Sequence, residues 1–125
     1  MKEVTFDELI EWVQEDYEDF RNCAFKVGEG IPQSIERFFY EYKNLIEDGI
    51  CEATVIFATL CIELKKYEVD SITKRHYDKL SKVIDSYDES KVASCLSDEE
   101  VKKLNVRVAE AKEILHGFKL YSLKK

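Results

Sequence analysis

Apolar residues recur at Phe6, Leu9, Ile10, Val13, Tyr17, Phe20, Ala24 and Val27, three or four positions apart. That spacing marks one buried face of a helix and predicts a first helix from Asp7 to about Val27. Thr5 and Glu8 have the spacing of a capping box, and Gly28 and Gly30 supply the stop. A second stripe runs through Ile35, Phe38, Phe39, Tyr42, Leu45 and Ile46, predicting a helix that opens at Pro32 and is closed by Gly49 in the left-handed conformation.

The next segment breaks the pattern. From Ile50 to Leu64, eleven of fifteen residues are apolar, and only Glu52 and Glu63 carry charge. A helix of that length spans roughly 22 Å. Being apolar on nearly every face, it must be covered on nearly every face, yet it is too short to cross a bilayer, which takes roughly 20 residues. It is therefore expected at the centre of the molecule, paired with the second helix as an antiparallel hairpin.

A fourth helix is predicted from about Ile72 to Tyr87, with Ile72, Tyr77, Leu80, Val83, Ile84 and Tyr87 inward and Lys74, Arg75, Lys79 and Lys82 outside. Asp88 to Leu96 reads as a loop with one helical turn. Ser97 and Glu100 form a second capping box, opening a last helix on Val101, Leu104, Val108, Ala111 and Leu115, with Gly117 as its stop. The apolar tail from Phe118 should fold back onto the bundle. The expected fold is an all-α, single-domain bundle of about five helices (residues 1–125) around the apolar helix at about 50–64.

Composition narrows the class. With 45% hydrophobic and 36% charged residues the chain is an ordinary globular one, and four Gly and one Pro leave little punctuation for a many-stranded sheet. No basic-then-apolar leader begins it and no run has membrane-spanning length, so the expected compartment is the cytoplasm. Cys23, Cys51, Cys61 and Cys95 contain no CxxC pair. In that compartment they are expected as reduced thiols buried on helices, although an even number leaves a disulfide framework open.

Charge is unevenly spread. Residues 1–62 carry fourteen acids against five bases, whereas residues 63–125 carry twelve against fourteen. An acidic half repels phosphates, so nucleic acid is not expected as a ligand. Catalysis lacks an inventory: His76 and His116, read as distant surface residues, form no HExxH arrangement, and there is no phosphate-cradling glycine loop. No cofactor and no metal are expected, because Asp7, Glu11, Glu15 and Glu18 point outward from one helix instead of converging. Acids repeated at i, i+4 cost an isolated helix a few tenths of a kcal/mol each. They serve solubility or the recognition of a basic partner. Such recognition also needs aromatic anchors, and Trp12 at the edge of the acidic face and Tyr40 beside Glu36 have that chemistry. The expected partner-binding residues are Asp7, Glu11, Trp12, Glu15, Glu18, Asp19, Glu36 and Tyr40.

Trp12 in an acidic first helix, the stretch Ile31–Asp48 and the small-residue apolar helix Ala53–Leu64 together resemble immunity proteins of bacterial polymorphic toxin and contact-dependent inhibition systems, in particular a mostly helical, tryptophan-containing group. The resemblance covers roughly residues 8–85. It implies a cytoplasmic non-enzyme, monomeric when free, that binds a cognate toxin domain as a heterodimer and blocks it. Many such toxins are nucleases with basic clefts. The resemblance carries over no individual contact residue. Two other classes fit the same residues: a helical adaptor or regulatory subunit, dimerising through its aromatic second helix, and a nucleic-acid mimic.

Overall fold

The computed structural model describes residues 4–122, and across them the protein is all-α, with six α-helices and one very small sheet. Helix α1 spans Phe6–Lys26. The Thr5 hydroxyl accepts from the Glu8 N–H at 3.1 Å, and the Glu8 carboxylate accepts from the Thr5 N–H at 3.2 Å, closing the expected capping box. At the other end Gly28 adopts φ +82°. Its N–H donates to the Phe25 carbonyl, and that of Glu29 to Ala24, satisfying carbonyls the helix leaves open. Val27 is exposed, not part of the core stripe, because the helix has already ended at Lys26.

The second predicted helix is two. Helix α2 (Ile31–Glu41) and helix α3 (Lys43–Asp48) meet at Tyr42, whose φ of −95° and ψ of 7° bend the chain. No Gly or Pro marks the spot. The bend lets α2 lie against α1 while α3 lies against the next helix, two directions a straight helix could not follow. Tyr42 itself turns inward and stacks on Phe38 at 4.6 Å. Gly49 is extended, with φ 167° and ψ 175°, so the expected left-handed cap is absent and the chain runs straight on into the following helix.

That following helix, α4 (Ile50–Lys66), is the centre of the molecule. Val55, Ile56, Phe57, Leu60 and Leu64 are buried, and helices α1 and α3, together with the two later helices, pack around it. Burying each such side chain contributes about 1.5–3 kcal/mol. Cys61 is fully enclosed, and burial pushes its thiol up to about 12, which makes it inert near neutrality.

Two features after α4 depart from expectation. Ile72 is not the start of a helix but the middle of strand β1 (Ser71–Thr73), and helix α5 (Lys74–Ile84) begins only after it, capped by the Thr73 hydroxyl. Strand β1 pairs in parallel with strand β2 (Lys119–Tyr121), in the register Ser71 with Lys119 and Thr73 with Tyr121. The tail thus returns to the bundle as a strand: Phe118 is buried, but Leu120 and Tyr121 stay exposed. Tyr77, Val83 and Tyr87, assigned inward, are only half-buried at the edge of the core.

Helix α5 stops at Ile84, one turn short of the expected end at Tyr87, and residues 85–97 form a loop; the helical turn expected within Asp88–Leu96 is there at Glu89–Lys91, and buried Val92 and Leu96 pin the loop. Helix α6 (Asp98–Gly117) opens with the predicted Ser97–Glu100 capping box and buries Leu104, Val108, Ala111 and Leu115. The cysteines correct the expectation of four reduced, buried thiols. Cys51 and Cys95 form a disulfide joining the start of α4 to the loop before α6, and Cys23 is exposed, leaving Cys61 as the buried free thiol. The loop folds back across the start of α4, which brings together two residues 44 positions apart.

Candidate functional site

Helix α1 turns one face to the core and its acids to solvent. Leu9, Val13, Tyr17 and Ala24 are buried on the inner side, while Asp7, Glu11, Glu15, Glu18 and Asp19 are exposed on the outer one. The helix carries seven acids against two bases. Elsewhere some acids are paired: Glu29 with Arg37 at 2.6 Å and Asp78 with Lys74 at 2.9 Å, while Asp85 lies 2.9 Å from His116 Nε2. Among the described residues, none of the α1 acids is in an ion pair. Glu18 approaches the Tyr67 phenol, which burial first and that carboxylate second hold above its usual range. The outer face of α1 is therefore a strip of uncompensated negative charge.

Apolar groups frame this strip. Trp12, 45% exposed, stands on the flank toward α2 and α3, one turn before Asp16, whose carboxylate accepts a hydrogen bond from Tyr42 at 2.5 Å. On the opposite flank a groove of about 430 Å³ runs between α1 and α6, lined by Phe6, Asp7, Ile10, Lys103, Val106 and Arg107. Asp7 belongs to both the acidic strip and the groove.

Glu36 and Tyr40 lie elsewhere. Helix α2 meets α1 through the Tyr17–Ser34 hydrogen bond, at 3.1 Å, but Glu36 faces α5, where it binds Arg75 and accepts a hydrogen bond from His76 Nε2 at 2.6 Å. Tyr40 is 77% exposed beside it. The eight predicted contact residues thus fall into two groups: six on α1, and a pair on the far side of α2. The aromatic face through which the alternative adaptor reading would dimerise is used internally, since Phe38, Phe39 and Tyr42 are all buried.

Sequence reasoning missed two polar features. His76, read as a surface residue, is 1% exposed, with Nδ1 lacking any hydrogen-bond partner; burial is the main influence on it and lowers its pKa despite Glu36. Its helical spacing with Leu80 and Ile84, at i+4 and i+8, is the signal that could have found it. Glu63, in the central helix, is 2% exposed, and burial raises its carboxyl above the usual range against the pull of Lys66 and Arg107. Lys66 stands 3.8 Å away, and Arg107 crosses from α6 to donate to Thr59 at 3.2 Å, leaving its own Nε unpartnered. Among the described residues no group of three or more His, Cys, Asp or Glu side chains is arranged to hold a metal ion, and no helix is long and apolar enough to cross a membrane.

The family model for Immunity protein Imm3 matches residues 2–122. The chain belongs to the Imm3 immunity protein family. No curated protein and no solved structure matches it. An Imm3 protein acts as an immunity protein against a toxin, so its functional surface is the one that meets that toxin. The Imm3 match also extends past Asp88, taking in α6 and with it the far wall of the groove, beyond the part of the chain that carries the resemblance visible by eye.

Proposed function

We propose that this Imm3 protein is a non-enzymatic inhibitor that binds its cognate toxin one to one through the outer face of α1, and that the toxin presents a basic surface there, as a nuclease cleft does. The protein is a single domain in this reading and works within a polymorphic toxin or contact-dependent inhibition system. The observation that carries it is the row Asp7, Glu11, Glu15, Glu18 and Asp19, exposed and without ion-pair partners among the described residues, next to half-exposed Trp12. Such a row adds nothing to folding. In association it speeds encounter with a cationic partner and rejects acidic ones. Trp12 supplies the aromatic anchor that charge alone lacks. Glu36 and Tyr40 join this surface only if the toxin reaches around α2. The test is reversal of Glu11, Glu15 and Glu18 to Lys. Association with the toxin should slow by about ten- to a thousandfold, while thermal unfolding stays nearly unchanged because all three side chains are solvated. Unaltered affinity moves the interface elsewhere.

A further inference from the structure

The groove between α1 and α6 has a chemistry that the acidic strip does not. Phe6 closes its floor, Ile10 is half-buried along one wall, and Val106 forms an outer lip that is 69% exposed. A β-branched apolar residue on the solvent side of a helix adds neither to the core nor to helix propensity. The two rims are opposite in charge: Asp7 on α1, Lys103 and Arg107 on α6. The α6 rim keeps donors unspent, although Glu63 and Glu110 lie near the Arg107 charge. Arg107 spends one N–H on Thr59, its Nε has no partner, and Lys103 has no ion pair among the described residues.

We propose that this groove is the socket for one segment of the toxin, which inserts an apolar side chain between Ile10 and Val106 and sets a carboxylate against Lys103 and Arg107. The inference rests on the toxin-binding reading of α1 and deepens it. The groove continues the acidic strip through Asp7, so one partner can cover both. Its opposed rims fix the direction in which the segment lies: basic groups over α1, an acidic group over α6. The strip provides attraction at a distance, and the groove provides the desolvated anchor that slows release. The interface is thereby bipolar, and a toxin that is basic throughout would fit only half of it.

The experiment measures association and dissociation rates with the toxin domain encoded by the gene adjoining that of the immunity protein. Three variants are compared: Val106→Asp, Lys103→Glu, and the triple reversal of Glu11, Glu15 and Glu18. Val106 and Lys103 are exposed, so both single variants should keep the wild-type circular dichroism and unfolding temperature. Val106→Asp should speed dissociation at least about tenfold with little change in association. Lys103→Glu should weaken binding by about tenfold, and a toxin acid-to-Lys variant should recover it. If the triple reversal weakens binding and neither groove variant does, the groove proposal is overturned and the α1 reading stands. If the groove variants weaken binding and the triple reversal does not, the socket stands and the α1 reading falls. Full wild-type affinity in all three overturns both.

Discussion

Tyr42 donates its hydroxyl proton to Asp16 at 2.5 Å, tying the bend between α2 and α3 to the flank of α1. The pair explains why the second helix breaks where no helix-breaking residue stands. Tyr42 is buried, and both burial and the Asp16 carboxylate hold its phenol above the usual range, so it stays a donor at any ordinary pH. It also takes Asp16 out of the row of free acids. Removing the hydroxyl with Tyr42→Phe leaves a half-buried carboxylate without its partner. A hydrogen bond to a charged group is worth about 1.5–3 kcal/mol, and urea unfolding of the variant should show a loss of about 2 kcal/mol with an unchanged m value. Wild-type stability in that variant would mean the ring stacking on Phe38 alone holds the bend.

The two helix ends at Gly28 and Glu68 show what the chain made legible and what it hid. Both are the same motif. After α4, the Glu68 N–H donates to the Lys65 carbonyl and the Val69 N–H to Leu64, as Gly28 and Glu29 do after α1. Gly28 announces its turn, because glycine accepts a positive φ freely. Glu68 takes φ +62° with a full side chain, imposed by the β1 strand that must follow, and no local signal marks it. The helices and their core stripes were readable for the first reason: they follow from spacing within one segment. The α2–α3 break, the β1–β2 pairing, the Cys51–Cys95 bond and buried His76 were not, because each depends on residues tens of positions away. The acidic side of α1 was readable from spacing too, but the groove beside it needs α6 and was invisible. Glu68→Gly follows directly. Relief of the left-handed strain, less the added freedom of the unfolded chain, should raise stability by about 0.5–1 kcal/mol, measured by thermal or urea unfolding. A destabilised variant would show that the Glu68 side chain makes a compensating contact.

The disulfide between Cys51 and Cys95 closes a loop of 44 residues. By the chain-entropy relation, a closure of that length stabilises by up to about 4 kcal/mol. Reduction should therefore lower the unfolding temperature of the wild type and leave that of a Cys51→Ser, Cys95→Ser double variant untouched. Toxin binding through α1 should persist after reduction, since both cysteines lie at the start of α4 and in the loop before α6, away from the acidic strip. An unfolding temperature indifferent to reductant would mean that Val92 and Leu96 already hold the loop in place without the bond.

His76 gives the protein a predictable response to acid. Helix α5 carries it into contact with Phe39, at 5.7 Å between rings, with Glu36 on Nε2 and the Arg75 and Lys79 cations nearby. Burial dominates and those cations add to it, so the folded-state pKa lies below the ordinary value of about 6.5 despite the carboxylate. Between those two values the unfolded chain binds a proton that the folded one refuses. Stability therefore rises with pH across that window: the contribution is fully present above about 6.5 and is lost as pH falls toward the folded-state pKa. Unfolding free energy measured from pH 7.5 down to 5 should decline for the wild type. In His76→Gln, whose amide can still bond Glu36 but cannot titrate, the decline should be much shallower over the same range. A His76→Gln profile as steep as that of the wild type would assign the acid sensitivity to another group, and a ring-proton titration of His76 by NMR would then have to show a pKa at or above the ordinary one.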